Sequence, residues 1–387
     1  MGKKKTKYFE TENLVEKYPK ARYYYILGGR STGKTFSTVR KSIRDAIKGK
    51  GDFAYIRRYK ESMQTAFMQA LFSVHNDFVS TLTHGEWNKI VYWRRRIWLE
   101  RWEPDETGNL TKKARKQNPI GVTCCLNTWE TEKGADFGFE RGIINIIFDE
   151  ALSKGGKYLP DEWTIFQNVI STLVRDRWEN DTKIYLLSNP ISKWTNPYFR
   201  NMGITKALIE KPGITEIKYP DEKGNTAMSA IFAYIGEISE VATNADKVHN
   251  TFFAFPNSKG KSKSITYGFW EMEDSSRLPS GVYTESIKNR TVYAIFGEEK
   301  LGIDVMKYEP QNKYYLLIYP VSAIRENTYY MILSPCLDKF AIVGTDTMHP
   351  VSQLIFAIHA TGQVYYSDDT TADAWHGFLT ERQKYKI

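Results

Sequence analysis

Residues Gly28-Gly29-Arg30-Ser31-Thr32-Gly33-Lys34-Thr35 satisfy the pattern G-x-x-x-x-G-K-[ST] in full. Each part of the pattern has a chemical task. Gly28 and Gly33 let successive backbone amides turn inward around phosphate oxygens. A helix beginning near Gly33 adds the positive end of its dipole. Lys34 is suited to neutralising β- and γ-phosphates, and the Thr35 hydroxyl to ligating Mg²⁺. Gly29, Arg30, Ser31 and Thr32 complete a nucleotide-binding loop. Arg30 at its crown could steady phosphates, contact a neighbouring subunit, or pair with a nearby acid.

A second constellation lies downstream. The apolar run "IINIIFDEA" ends in Asp149-Glu150, and an acidic residue at a strand's C-terminal end points into the crevice where open α/β sheets bind ligands. Asp149 is expected to hold Mg²⁺ through water, and Glu150 to polarise the attacking water as general base. Such a pair can also cap a following helix. The adjacent carboxylate favours hydrolysis over transfer to a second substrate, and the absence of an Asn-Lys-x-Asp signature favours ATP over GTP. "KIYLLSNP" ends in Ser188-Asn189, polar groups that can sense a γ-phosphate or simply open a turn. Between these strands Arg175 and Arg177 close an apolar helix. One of them could act as an arginine finger in a neighbouring subunit's site, or both could sit at a solvated helix end.

These residues need a scaffold that brings strand ends together. The first half alternates short apolar runs with helical patterns, which predicts an α/β domain with a largely parallel sheet. "ARYYYILGG" reads as one strand with its helix following, "DFAYIRRYK" as a second with another helix. "KIVYWRRRIWLE" reads as a marginal strand or hairpin, and "GVTCCLNT", "GIINIIFDE" and "KIYLLSNP" as three more strands. The pattern changes after residue 200. Residues 201–264 read as a linker region. Residues 265–387 are rich in aromatic and β-branched strands interrupted by one helix near "HPVSQLIFAIHA", an α+β domain on a different plan.

Composition narrows the function classes. The 387 residues carry a formal net charge of +9. Residues 1–60 hold 17 Lys and Arg against 5 Asp and Glu, with further basic clusters "WRRRIW" and "KKARK". A polyanionic partner, nucleic acid ahead of membrane, fits that balance. No apolar run reaches the roughly 18 residues that span a bilayer, and the basic start lacks the apolar segment of a secretory signal. Three cysteines, two of them adjacent (Cys124, Cys125) and Cys336 remote, fit neither a disulfide framework nor a zinc site. Buried thiols in a reducing compartment are the expectation.

Together "GGRSTGKT", "IIFDEA", "YLLSNP" and "YIRRYK" resemble the genome-packaging ATPases of tailed double-stranded DNA bacteriophages, of the terminase large-subunit type. The resemblance is nearest to the compact motors of small phi29-type podophages. It covers the first 200 residues by motif and the remainder by architecture. It implies an ASCE-type P-loop ATPase domain over residues 1–200, then the linker, then an RNase-H-like domain. It also implies a homo-oligomeric ring, expected to be a pentamer, at the portal of a prohead. There it would translocate double-stranded DNA using ATP and Mg²⁺, with a structural RNA as a further candidate component. Such a protein acts in the host cytoplasm, visits the portal vertex transiently, and is absent from the mature virion. Arg177 is the position that matches the family's trans arginine, with Arg175 second, and Arg57 and Arg58 match a basic pair that sits beside the nucleotide or covers it.

Larger relatives in that group cut DNA with clustered carboxylates and metal ions. Here the C-terminal region supplies Glu298, Glu299, Asp304, Asp338, Asp346, Asp368, Asp369 and Asp373. Its first long strand lacks a central Asp, and Gly297-Glu298-Glu299 reads as a hairpin turn. Asp346 is better placed but stands alone. An RNase-H-like domain without nuclease activity is therefore expected, the alternative being a packaging nuclease.

Overall fold

The computed structural model describes residues 8–129, 142–153, 158–174, 181–190, 196–205, 211–235, 285–297, 299–333, 336–343, 349–361, 363–367 and 369–383, with single residues 208 and 283. The chain divides into two compact units. One comprises 1–152, 162–190 and 203–248, and the other 153–161, 191–202 and 249–387.

In the first unit, helix α1 (Thr11–Lys17) precedes β1 (Tyr23–Gly28), α2 (Lys34–Ile47) and β2 (Asp52–Arg57). Then come α3 (Thr65–Ser73), α4 (Asn76–Leu82), β3 (Lys89–Trp93), β4 (Arg96–Pro104), β5 (Leu110–Arg115) and β6 (Gly121–Cys125). β7 (Ile143–Asp149), α5 (Glu162–Val174), β8 (Lys183–Ser188), β9 (Gly213–Pro220) and β10 (Thr226–Ile235) complete it. The strands form one ten-stranded sheet in the order β3-β4-β6-β2-β7-β8-β1-β10-β9, with β5 paired to β4. From β6 to β10 every neighbouring pair is parallel.

Strands β2, β6 and β8 are buried along their whole length, which explains why they read as apolar runs instead of alternating ones. Ile146, Ile147 and Phe148 of β7 are fully buried, each contributing about 1.5–3 kcal/mol by removal from water. α2 buries Val39, Ile43 and Ala46, three- and four-residue spacings that form one helical face. The insertion of β8 between β1 and β7 is the ASCE arrangement. It aligns Leu27 with Ser188, and Asp149 with Leu187, so the loop after β1 and the ends of β8 and β7 share one edge of the sheet.

The sheet extends beyond residue 200, where the sequence pattern changes. β9 and β10, expected to be linker, add to it through β10 pairing with β1. β9 is exposed at every second residue, so an edge strand with Lys, Glu and Pro leaves little apolar signal. The "KIVYWRRRIWLE" segment is a hairpin, Trp93 pairing with Arg96 across Arg94-Arg95. Both turn residues have positive φ, 50° and 61°, the signature of a type I′ turn, and for non-glycine residues this costs ~1–2 kcal/mol each. β5 carries the "KKAR" cluster, whose charge obscures its strand character.

The second unit contains α6 (Pro197–Asn201), β11 (Ser286–Phe296), β12 (Glu299–Tyr308), β13 (Lys313–Pro320), β14 (Tyr330–Ile332), β15 (Ala341–Val343), α7 (Pro350–Ala360), β16 (Val364–Tyr366) and α8 (Asp369–Gln383). Its sheet runs β15-β14-β11-β12-β13-β16. β11, β12 and β13 form an antiparallel meander, and β14 and β15 continue it in parallel. That order, with helices packed on the meander through Ile355, Trp375 and Phe378, is consistent with an RNase-H-like fold. The β11–β12 hairpin turns at Gly297 (φ 61°), as expected. Gly302 is needed for space, because a Cβ there would lie 2.6 Å from the Tyr319 ring. Helix α8 was not legible, since its stretch is dominated by Asp, Thr and other polar residues.

Candidate functional site

Gly33 has φ 93° and a Cβ there would meet Tyr8 at 3.1 Å, so only glycine suits the turn into α2. Around it, Thr32 Oγ1 donates to the Gly29 carbonyl at 3.0 Å. The loop and the start of α2 are held from outside by Phe9 and the first residue of α1. The Phe9 amide donates to Thr32 O at 3.0 Å, the Thr11 amide donates to Ser37 Oγ at 2.6 Å, and Thr11 and Thr38 share a hydroxyl contact at 2.8 Å.

Lys34 is buried, its ammonium donating to the carbonyls of Gly28 and Gly29 at 2.7 Å, and reaching Thr32 Oγ1 and Asn189 Oδ1 at 3.2 Å. Burial lowers its pKa to about 8, against the opposing pull of Asp149. Thr35 Oγ1 donates to Asp149 Oδ1 at 3.2 Å. Tyr55 donates to the other carboxylate oxygen at 2.6 Å. Ser188 Oγ accepts from the Leu152 amide at 3.1 Å and shares a contact with Tyr25 OH at 3.0 Å.

Glu150 has φ 59°, an uncommon backbone for a non-glycine residue and a frequent companion of function. Its carboxylate is 66% exposed and lies 2.6 Å from Arg57 Nη1, while the Arg57 side chain is only 7% exposed. A longer contact of 3.9 Å joins Arg57 to Asp149. Burial works against the Arg57 charge, but Tyr55, Asp149 and Glu150 outweigh it and raise its pKa.

Residues Arg30 to Phe36 with Asp149, Glu150, Leu187, Ser188 and Asn189 line one pocket of ≈ 270 Å³. The loop between β1 and α2, the acidic pair and the Ser188-Asn189 strand end therefore meet in space. Arg30 is exposed at the pocket rim. The two strand-end arginines diverge. Arg57 faces Glu150, whereas Arg58 turns into the core. Arg58 makes a two-point pair with buried Glu162 (2.7 and 2.9 Å) and donates to the carbonyls of Glu150 and Ala151 at 3.1 and 2.7 Å. It braces the backbone that carries Glu150 instead of lining the pocket. Arg175 and Arg177 lie outside the described residues.

Tyr55 and Glu162, which contact Asp149 and Arg58 respectively, were missed by motif reading. Tyr55 was findable, since residues 55 and 57 of one strand share a face and β2 lies next to β7. Glu162 had no local signal, being 104 residues from its partner.

Among the described residues of the second unit, the acidic side chains stand apart from one another. Asp304 is buried under Lys288 Nζ (2.6 Å), Thr291 (2.7 Å) and Tyr319 (3.1 Å). Asp338 accepts from Tyr330 and the Phe340 amide, and Glu299 is exposed at the start of β12. Glu298, Asp346 and Asp368, and the side chains of Asp369 and Asp373, lie outside the described residues. Among the described residues no group of three or more His, Cys, Asp or Glu is placed to hold a metal ion.

No family model matches the chain. It is 26% identical over 204 residues to the DNA packaging protein of Bacillus phage B103, covering 51% of this chain and 54% of that one. It is also 26% identical over 177 residues to the DNA packaging protein of Bacillus phage phi29, covering 45% and 44%. The chain thus spans about half the length of the curated relatives it matches. Among solved structures it shares its fold with the Phi-28 gp11 DNA packaging motor, at TM-score 0.52 and 15% identity over 98% of each chain. The bacteriophage Phi-29 viral genome packaging motor assembly matches at TM-score 0.52 and 17% identity, over 97% of this chain and 99% of that one. The chain therefore resembles phi29-type packaging ATPases in both sequence and architecture.

Proposed function

We propose that the chain is an ATP-hydrolysing motor that translocates double-stranded DNA into a prohead. The observation that carries this reading is the convergence of Lys34, Thr35, Asp149 and Glu150 on one pocket at the C-terminal edge of a parallel sheet. Similarity to DNA packaging proteins extends that chemistry to DNA.

Lys34 neutralises the β- and γ-phosphates while the loop amides cradle them. The Thr35 hydroxyl and the Asp149 carboxylate form a pair of hard oxygen donors 3.2 Å apart, a donor set that suits Mg²⁺. A Mg²⁺ ion held by these two oxygens would supply charge neutralisation for the bound nucleotide. Glu150 takes a proton from the attacking water, and Arg57 orients its carboxylate. Asn189, in contact with Lys34, reports loss of the γ-phosphate to β8. The chain works as a homo-oligomeric ring at the portal, where Arg177 or Arg175 of one subunit completes the next subunit's site. It is active in the host cytoplasm and bound only transiently to the portal vertex.

Glu150→Gln tests this assignment. ATP affinity should stay within about twofold while turnover falls on the order of 10²–10⁴-fold, the range for loss of a general base. Turnover unchanged by the substitution would remove Glu150 from the mechanism.

A further inference from the structure

Outside the nucleotide pocket, the strongest unassigned feature is the β3–β4–β5 ribbon at the margin of the first sheet. Its outward face carries Trp93, Trp98 and Trp102 with basic side chains laid across them. The Arg94 guanidinium lies 4.4 Å from the Trp93 ring centre, and the Lys89 ammonium lies 3.7 Å from that of Trp102. Arg115 lies 5.2 and 5.1 Å from Trp93 and Trp98. Rings hold such cations in place without cancelling their charge.

The acids on this face are already committed. Glu100 is buried and occupied by Arg115 Nε at 2.6 Å and Trp102 Nε1 at 2.7 Å. Residues 87–99 and 107–117 contain no Asp or Glu. Among the described residues Arg94, Arg96, Lys112 and Lys113 have no acidic partner.

The turn itself argues that this charge has a use. A two-residue hairpin turn with positive φ at both positions is best served by Asn-Gly. Here it holds Arg94 and Arg95 in that strained backbone, next to a third arginine, with mutual repulsion added. Local stability is sacrificed for cations at the ribbon tip, and strain of this kind marks functional sites.

We propose that this ribbon grips the phosphodiester backbone of duplex DNA without regard to sequence, through Arg94 and Arg96 at the tip and Lys112 and Lys113 on β5. The inference rests on the DNA-motor reading and deepens it by naming the contact surface. Arg94, held on the Trp93 ring, and exposed Lys112 and Lys113 suit phosphates, which present charge at regular spacing and carry no sequence information.

The test uses the full chain and two labelled 20-base-pair duplexes of unrelated sequence, with anisotropy titrations between 50 and 200 mM salt. Arg94→Asn with Arg95→Gly gives the turn its preferred residues while removing two charges, so the fold should be kept or strengthened. The expected result is weaker binding to both duplexes, with the slope of log K against log salt reduced by about 1 for the lost Arg94 contact. Lys112→Gln with Lys113→Gln, on exposed β5, should weaken binding to both duplexes in the same way. Wild-type binding with unchanged affinity and slope in both double variants overturns the ribbon assignment alone. Loss confined to one duplex indicates base readout and also overturns it. Failure of the wild-type chain to bind either duplex overturns the motor reading itself.

Discussion

Arg57 Nη1 lies 2.6 Å from Glu150 Oε2, joining a buried cation at the end of β2 to a largely exposed carboxylate just past β7. Glu150 sits in left-handed backbone, so neither a strand nor a helix fixes its side chain. The pair with Arg57 and the brace from Arg58 on its carbonyl do so instead.

Arg57 is absent from the pocket lining, so it should act on Glu150 and not on the nucleotide. Arg57→Ala is expected to lower kcat about 10- to 100-fold, the scale of a misplaced catalytic group, with KM for ATP little changed. Arg57→Lys should recover part of the loss. Steady-state kinetics decide the matter, because a raised KM with normal kcat would make Arg57 a phosphate ligand.

Lys34 predicts two opposite pH trends. Its pKa is lowered to about 8 by burial, against an ordinary value near 10.5. Between those values the unfolded chain holds a proton that the folded chain has released, so this residue's contribution to stability rises with pH across the window. Nucleotide affinity should do the reverse, weakening as pH passes upward through about 8 and Lys34 loses its charge. Titration with a fluorescent ATP analogue from pH 6.5 to 9.5, alongside thermal melts, measures both. Affinity that is flat across the range would mean that Lys34 does not neutralise phosphate.

The Arg58–Glu162 pair is nearly dry, with side-chain exposures of 7% and 0%. Removing one partner strands a buried charge, a loss of about 3–5 kcal/mol. Arg58→Ala should lower the melting midpoint of the first unit on the order of 10 °C, and Arg58→Lys should restore little because one ammonium cannot make both contacts. Calorimetry checks this, and a shift within 2–3 °C would show the pair to be dispensable.

Local signals were legible wherever one segment carried both motif and context. The β1–α2 turn was announced by its glycines, by the apolar strand before it and by the amphipathic helix after it. β7 and β8 were announced by buried runs ending in polar residues. What could not be seen locally was anything set by partners distant in sequence. Arg58 looked equivalent to Arg57, yet one residue of register sends them to opposite sides where β2 ends, and Glu162 settles the difference. β9 and β5 escaped because exposed edge strands carry charge where buried strands carry apolar side chains. α8 escaped because its buried Ala372, Trp375 and Phe378 are thinly spread among polar residues.

The central claim, hydrolysis of ATP coupled to duplex DNA, is tested most directly by steady-state ATP turnover of the full chain at low salt with and without double-stranded DNA. The expected result is Mg²⁺-dependent turnover that rises severalfold with DNA, loses that rise as salt screens the phosphates, and disappears in Glu150→Gln. Turnover indifferent to DNA across all salt concentrations, or undiminished in Glu150→Gln, would contradict the account.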